Sequence, residues 1–149
     1  MSNIPDKDLT MEQSEKALNL RIDDFLEKFN PQEMEDVAFR SARFDAGLAW
    51  IHFPEGQGGM GLRPNLQKVI ERRMREAGAM PTDPTTFFMS LAGPTISTHG
   101  TQEQRARFLK PMFTGEERWC QLFSEPGAGS DFAGPVSYTH LRAHETSAY

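Results

Sequence analysis

Cysteine is almost absent from this chain, since Cys120 is the only one among 149 residues. A single thiol excludes a disulfide framework and a cysteine-rich metal site, and it fits a reducing compartment. The first residues also lack a basic region followed by an apolar run, so no secretory signal is indicated. The longest uncharged stretch, residues 84–102, contains proline, glycine and histidine and does not suit a membrane-spanning helix. We therefore expect a cytoplasmic protein.

Basic side chains are fewer than acidic ones. The chain has 16 Lys and Arg against 21 Asp and Glu, which gives a net charge of −5. The acidic excess lies in the first 40 residues, which hold 10 acidic and 5 basic side chains. We expect this excess to form a solvated helix surface, and no later patch is basic enough to predict nucleic-acid binding.

Two segments have the apolar spacing of amphipathic helices. The first covers residues 11–29, and its apolar positions are Leu18, Ile22, Phe25, Leu26 and Phe29. Another follows Pro64, and its predicted inner face consists of Leu66, Val69, Ile70 and Met74. Both stripes predict packing against a common core.

Between these segments, Asn30 and Pro31 predict the start of a further helix. Asn30 can cap the helix, Pro31 suits its first position, and Glu33 stands where a capping-box carboxylate is expected. We expect this helix to end near Gly47. Its inward-facing residues are predicted to be Met34, Val37, Ala38 and Phe44.

Glycine is concentrated in residues 50–62, where four glycines fall between positions 56 and 61. This density predicts a folded loop with positive φ angles or close backbone contacts. A phosphate-binding loop is the alternative, but the Gly-Lys-Ser/Thr ending and a surrounding βαβ pattern are both missing. The sequence therefore favours a structural loop.

The second half of the chain continues with helices until a strand begins near residue 118. Residues 84–100 are almost uncharged and predict a helix pair, divided at a glycine-proline step and buried in the middle of a bundle. Thr101 and Gln104 form a capping box for a short helix that is expected to end at the lysine-proline pair 110–111.

After the predicted strand comes the segment Ser124-Glu-Pro-Gly-Ala-Gly-Ser-Asp131. Gly127 and Gly129 allow backbone N–H groups to converge on an anion, and Ser130 adds a hydroxyl donor. The Ser124 hydroxyl and the end of the strand could bond a planar heterocycle. On the residues alone, the segment is either a ligand-binding turn or an ordinary glycine turn after a strand.

The order of these motifs resembles that of the acyl-CoA dehydrogenase family. The segments that carry the resemblance are Gly58-Gly-Met-Gly-Leu62, Ala92-Gly-Pro-Thr-Ile-Ser-Thr-His-Gly100, Thr101-Gln-Glu-Gln-Arg-x-Arg-Phe-Leu-x-Pro-x-x-x-Gly115-Glu and Gln121-Leu-Phe-Ser-Glu-Pro-Gly-Ala-Gly-Ser-Asp131. The resemblance implies a mainly α chain: a flexible N-terminus at 1–10, a helical N-terminal domain at 11–117, and the start of a β-domain with a flavin-binding turn at 118–134.

The resemblance also implies FAD as the cofactor and an acyl-CoA thioester as the substrate. In this family a carboxylate removes the α-proton while the β-hydrogen passes as hydride to the flavin, which gives a 2,3-enoyl-CoA. An electron-transfer flavoprotein then accepts the electrons. The carboxylate base is expected in a C-terminal domain, so this chain holds no candidate for it and is expected to be inactive alone. The parent is expected to be a homo- or hetero-oligomer.

The cofactor-binding residues implied by the resemblance are Gln121, Leu122, Phe123, Ser124, Gly127, Gly129 and Ser130. Main-chain groups of Phe123 and Ser124 are expected to bond the flavin ring, with the Ser124 hydroxyl near its reactive nitrogen. Ser130 is expected to contact both the FAD pyrophosphate region and the acyl-CoA. Such donors stabilise negative charge on the reduced flavin.

The last segment, residues 135–149, does not continue the resemblance. Both tyrosines and two of the four histidines of the chain lie there. We expect a non-native tail, such as vector or adapter sequence. His140 and His144 are spaced i, i+4, but no third ligand accompanies them, so no metal site is expected.

Three alternatives stay open at this point. The first is an acyl-CoA oxidase or flavin monooxygenase of the same fold, which differs in what reoxidises the flavin. The second is a non-catalytic helical interaction module that has lost the flavin. The third is a nucleotide-binding loop protein, which the missing Walker lysine disfavours. The length of the acyl chain is not readable from these residues.

Overall fold

The computed structural model describes residues 10–81 and 87–119, without the side chains of residues 87–90. These ranges contain five α-helices and one 3-10 turn, and no strand occurs within them. The helices are α1 (Met11–Lys28), α2 (Asp36–Asp45), α3 (Gln67–Glu76), α4 (Phe87–His99) and α5 (Gln102–Thr114), with the 3-10 turn Pro64–Leu66 before α3. The predicted mainly α fold is confirmed.

The described residues all belong to Met1–Trp119, the first of two compact units; the second is Cys120–Tyr149. Across the described ranges, no helix combines the length and the apolar character that crossing a bilayer would require. The predicted β-structure at residues 118–124 falls almost wholly outside these ranges and stays a prediction.

Helix α1 begins with a capping box. The Thr10 hydroxyl accepts from Gln13 N at 3.3 Å, and Gln13 Oε1 accepts from Thr10 N at 2.9 Å. This exchange satisfies two backbone donors that a helix start leaves open. The predicted apolar stripe of α1 is confirmed, because Leu18, Ile22 and Phe25 are buried and the other two members pack against them.

Helix α1 packs on α3, whose predicted inner face is also buried. Together with α2 and the intervening loop they enclose what we term the first core cluster. Its buried members are Leu18, Ile22, Phe25, Phe39, Leu48, Ile51, Leu62, Leu66, Val69, Ile70 and Met74.

The predicted start of the second helix at Asn30 is wrong. Asn30 instead folds a turn on itself: its Oδ1 accepts from Gln32 N at 3.0 Å, and its Nδ2 donates to Glu33 Oε1 at 2.8 Å. An asparagine side chain that bonds its neighbours in this way stabilises a turn rather than a helix. The helix begins only after Glu35, with Asp36 as its first residue.

The predicted inner face of α2 is only partly correct. Phe44 is buried, but Val37 is 44% exposed and Ala38 is exposed, while Phe39 and Arg43 occupy the interior. Phe39 lies with its ring centre 5.5 Å from that of a phenylalanine on α1. Phe39 and the ion-paired Arg43 therefore occupy the interior face that the sequence pattern assigned to Val37 and Ala38.

Helix α4 is one continuous helix, so the prediction of a helix pair is wrong. Pro94 lies inside it and removes a single backbone donor. Next to it, the Thr95 hydroxyl donates to the Leu91 carbonyl at 2.8 Å. The expected position in the middle of a bundle is also not observed in the described part of α4, where Leu91 is 43% exposed and Thr95 is exposed.

Helix α5 starts at the predicted capping box, with Gln104 N donating to the Thr101 hydroxyl at 3.2 Å. It does not stop before Pro111, as predicted, but continues to Thr114 and ends at Gly115, whose φ is +83°. Burial of the last turn explains the extension, because its apolar side chains enter a core. This second core cluster consists of Phe44, Ala49, Phe53, Leu109, Met112 and Phe113.

Candidate functional site

The residues that the sequence assigns to the flavin lie outside the described ranges. They are Gln121, Leu122, Phe123, Ser124, Gly127, Gly129 and Ser130, and their roles stay predictions. The described ranges contain the helical platform that precedes these residues in the chain. This platform ends at Trp119, two positions before the predicted site.

The glycine-rich loop, residues 47–62, uses its backbone donors within itself. The N–H groups that donate to carbonyls of the same loop are those of Ala49, Trp50, Phe53, Gln57, Met60, Gly61 and Leu62. A phosphate-binding loop needs such donors free to converge on the anion. The interpretation as a structural loop is therefore confirmed.

Gly59 shows why this loop needs glycine. A Cβ atom at this position would lie 2.2 Å from the carbonyl oxygens of both Trp50 and Phe53. No side chain fits at that distance, so the loop closes only with glycine there.

Arg43 of α2 is buried, with 3% exposure, and joins three elements. Its Nε donates to the Leu48 carbonyl at 2.9 Å, and its Nη2 pairs with the Glu71 carboxylate of α3. Its guanidinium also lies 5.4 Å from the centre of the Phe113 ring of α5. The sequence analysis did not predict a role for Arg43. The available indication was that Arg43 follows the apolar Phe39 by four residues, which places both on the same face of the helix.

Gln67 attaches the same loop to α3. Its Oε1 accepts from Ile51 N at 2.8 Å, and its Nε2 donates to the Ala49 carbonyl at 2.9 Å and to Glu71 Oε1 at 2.8 Å. One amide thus satisfies two loop groups and orients the carboxylate that pairs with Arg43. In the sequence, the i, i+4 spacing of Gln67 and Glu71 was the feature that could have predicted this contact.

Helix α4 also contacts the glycine-rich loop. The buried Ser97 hydroxyl donates to Gln57 Oε1 at 2.7 Å. One turn earlier, a Cβ on Gly93 would lie 3.7 Å from the Phe53 ring, which is ordinary van der Waals contact. The loop therefore sets the position of both α3 and α4.

The exit segment, residues 115–119, turns back along α5. Glu117 N donates to the Pro111 carbonyl at 3.1 Å. The Glu117 carboxylate pairs with Arg107, two turns before the end of α5. This hydrogen-bonded, oppositely charged partner raises the pKa of Arg107.

Trp119 completes this turn. Its ring meets the Phe108 ring edge-on, with centres 5.3 Å apart and planes at 85°. It is half-buried and packs against the second core cluster. The last described residue before the predicted flavin segment is thus held by packing.

Among the described residues, two further titratable groups have a shifted pKa, His52 and Glu103. Burial lowers the pKa of His52, whose ring lies edge-on to Phe53. A hydrogen bond from its own backbone N–H, and a second from the Thr101 hydroxyl, lower the pKa of Glu103. Both perturbations follow from local structure, and no group of three possible metal ligands occurs in the portion that the structure describes.

An open groove of about 770 Å³ lies between α1 and α2. Small residues such as Ala38 and Ala42 line it together with Phe25. Charges of both signs line it too, since Arg21 and Asp24 belong to its wall. The lining also contains Ser41 and Asp45, and the Asp45 carboxylate is paired with Lys110 of α5.

Comparison with known proteins identifies the family of the helical domain. Residues 11–116 match the family model of the acyl-CoA dehydrogenase N-terminal domain. The chain belongs to the acyl-CoA dehydrogenase family. The match covers all five helices that the structure describes, and it spans the glycine-rich loop and the capping box of α5.

Several curated proteins are similar to this chain. The acyl-CoA dehydrogenase FadE34 of Mycobacterium tuberculosis is 43% identical over 103 residues, 69% of this chain and 14% of its own length. The acyl-CoA dehydrogenase IpdE1 of the same organism is 38% identical over 96 residues, 64% of this chain and 25% of its own.

A third relative is the caffeyl-CoA reductase-Etf complex subunit CarC of Acetobacterium woodii. It is 33% identical over 128 residues, 85% of this chain and 32% of its own length. The chain thus spans between about one seventh and one third of the length of these relatives. The comparison with solved structures found no match.

Proposed function

We propose that the protein to which this domain belongs is an FAD-dependent acyl-CoA dehydrogenase that converts acyl-CoA into 2,3-enoyl-CoA. The observation that carries the proposal is the match of residues 11–116 to the N-terminal domain of that family. The segment Gln121–Asp131, which follows directly, supplies the hydroxyl and glycine pattern expected for a flavin contact. Several acyl-CoA dehydrogenases, FadE34 and IpdE1 included, are among the similar proteins.

The donor set of this chain suits an isoalloxazine ring and a pyrophosphate. Ser124 and Ser130 have hydroxyl donors, and Gly127 and Gly129 have no side chain that would shield their backbone N–H groups. When bound, FAD would accept the hydride that leaves the β-carbon of the thioester. The role of Ser124 in this proposal is to donate to the flavin ring, and the role of Ser130 is to contact the pyrophosphate and the acyl-CoA.

The other half of the reaction needs a base for the α-proton. Loss of the α-proton and of a hydride from the β-carbon leaves a double bond between C2 and C3. One carboxylate that takes the proton and one acceptor that takes the hydride therefore balance the reaction. We place the base in the part of the relatives that lies beyond the matched range, which is most of their length.

The partners follow from the same proposal. An electron-transfer flavoprotein is the proposed electron acceptor, supported by the similarity to a subunit whose name includes an Etf complex. We further propose an oligomeric, cytoplasmic protein that does not bind nucleic acid. If molecular oxygen reoxidises the flavin as fast as the flavoprotein does, the protein is an acyl-CoA oxidase instead.

The test uses the complete protein, expressed from its unbroken reading frame. It should be yellow, and its flavin absorbance should fall when a saturated acyl-CoA is added. Ser124→Ala should slow this reduction by about tenfold, while Ser124→Thr, which keeps the hydroxyl, should react like the wild type. A colourless complete protein would contradict the proposal, and an unchanged rate in Ser124→Ala would remove that hydroxyl from it.

A second candidate is the reverse reaction, reduction of a conjugated double bond. The caffeyl-CoA reductase subunit and a 3-(aryl)acrylate reductase of Clostridium sporogenes, 36% identical over 97 residues, favour it. Under this candidate, the chemically reduced protein should be reoxidised by an enoyl-CoA faster than the oxidised protein is reduced by the acyl-CoA. The higher identity to the two dehydrogenases supports the first candidate.

A further inference from the structure

A second, smaller cavity of about 290 Å³ lies between α2, α3 and the residues that follow α3. Two arginines, Arg43 and Arg75, and the carboxylate of Glu71 form its polar wall. Two methionines, Met74 and Met80, belong to its apolar wall. The cavity therefore places positive charge beside apolar surface.

Arg43 lines this cavity from α2 although its side chain is buried. Two of its three nitrogen atoms are engaged, since Nε donates to the Leu48 carbonyl and Nη2 pairs with Glu71. No described residue accepts a hydrogen bond from Nη1. Among the described side chains, only Arg105 Nε is both closed off from solvent and without a partner, so Nη1 of Arg43 stays open to solvent. Nη1 can therefore donate to a ligand in the cavity.

Arg75 supplies the second positive charge, and it is exposed on α3. It forms no ion pair with a described residue, although two glutamates are its neighbours on the helix. Glu71 is paired with Arg43, and Glu76 lies against two other arginines of α3. The polar wall thus carries two positive charges against one negative charge, and this excess favours an anion.

The apolar wall favours an anion that also has an apolar part. Met74 is buried, whereas Met80 is 67% exposed and would be shielded from water by a ligand in the cavity. Methionine side chains adapt to the shape of a ligand, and their sulfur atoms make favourable contacts with aromatic rings. The volume lies at the lower end of the range for ligand pockets, so only a small ligand fits.

We propose that this cavity binds a small carboxylate that has an apolar body. The carboxylate accepts from the Arg75 guanidinium and from Nη1 of Arg43, because a guanidinium matches the planar geometry of a carboxylate. The body of the ligand lies against Met74 and Met80. This site belongs to the helical domain alone, and it does not depend on the flavin or on the proposed dehydrogenation.

Benzoate is the probe, and the methyl groups of the methionines of the 149-residue chain are followed by carbon-labelled NMR. The Met74 and Met80 signals should shift saturably, with a dissociation constant on the order of 1 mM. The Met11 signal, from the start of α1, should stay unchanged. Benzamide has the same shape without the charge, and inorganic phosphate has charge without an apolar body. Each should bind about tenfold more weakly than benzoate.

Arg75→Gln is the decisive variant, because it removes one charge at an exposed position and should weaken benzoate binding by about tenfold. Arg72→Gln is its matched control: it removes the same charge from an exposed position on the same helix, but outside the cavity wall. It should keep the wild-type affinity. Far-ultraviolet circular dichroism should be the same in both variants, since neither side chain is buried.

Four results would overturn the proposal. They are the absence of a saturable shift at Met74 and Met80, benzamide or phosphate binding as tightly as benzoate, wild-type affinity in Arg75→Gln, and an equal loss of affinity in Arg72→Gln. The last result would mean that benzoate responds only to the overall charge of α3.

Discussion

The two core clusters of this domain are held together by different means. The first consists of 11 buried apolar residues from two amphipathic helices, α2 and the loop. The second has six buried members, and its neighbours include the buried Arg43, the glycine-rich loop and the exit segment. Around the first cluster the ion pair of Arg73 and Asp23 joins α3 to α1 with its carboxylate exposed, whereas the charged side chain beside the second cluster, Arg43, is buried.

The two clusters also differ in their neighbours. The first cluster lies among α1, α2, α3 and the glycine-rich loop. The second cluster contacts Trp119, which precedes the predicted flavin segment by two positions in the sequence. Both tryptophans of the chain, Trp50 and Trp119, pack against the second cluster. Tryptophan fluorescence consequently reports on that cluster, and circular dichroism on all helices.

The largest expected effect is a cavity in the first cluster. Ile70 is fully buried, and Ile70→Ala should reduce the free energy of unfolding by about 4 kcal/mol, because it removes three methyl or methylene groups from a closed core. Chemical denaturation followed by circular dichroism measures this loss. Leu20→Ala, at a position with 61% exposure, is the control and should change stability by less than about 0.5 kcal/mol.

The glycine-rich loop is expected to give the next largest effect. Gly59→Ala should cost about 3 kcal/mol, since its Cβ would collide with two backbone carbonyls that cannot move independently. Gly61→Ala is the control in the same loop: its Cβ would meet open space, and only its φ of +66° is unfavourable, which costs about 1 kcal/mol. Fluorescence should shift more in Gly59→Ala than in Gly61→Ala; equal shifts would contradict the steric argument.

How much of this could be predicted from the sequence differs between the two clusters. Helical spacing correctly predicted the buried faces of α1 and α3, because long apolar stripes depend on local periodicity. It failed for α2, where Arg43 replaces an apolar residue. The compensation for that buried charge comes from Leu48 and Glu71, whose proximity is set by tertiary structure.

The same limit applies to the helix boundaries and to the site. Pro94 and Pro111 predicted a helix break at each position. Helices α4 and α5 nevertheless continue through these prolines, and both pack against the second cluster. For the flavin turn, the residue pattern alone left an ordinary turn open, and only the ordered series of motifs indicated a family. The tertiary contacts of Gln57, Ser97 and Trp119 have no local sequence signature.

A smaller effect is expected from the buried arginine. Arg43→Met should cost about 2 kcal/mol, because the Leu48 carbonyl loses its donor while the methionine fills most of the space. The loss stays moderate because the Glu71 side chain is 37% exposed and can be hydrated. Fluorescence should detect the change, since Phe113 loses a neighbour in the second cluster. A variant as stable as the wild type would show that the hydrogen bond and ion pair of Arg43 do not stabilise the domain.

The smallest effect is expected from deleting residues 135–149. Because their composition departs from the rest of the chain and the family model ends at residue 116, neither cluster should depend on them. The deletion should change the free energy of unfolding by less than about 1 kcal/mol, measured by both fluorescence and circular dichroism.

Removing everything from residue 115 onward is the matched comparison, because it also removes Glu117 and Trp119. That longer deletion should lower the thermal midpoint of the second cluster, since Arg107 and Phe108 then lose their partners. A loss above about 1 kcal/mol in the shorter deletion would show instead that the last 15 residues belong to the fold.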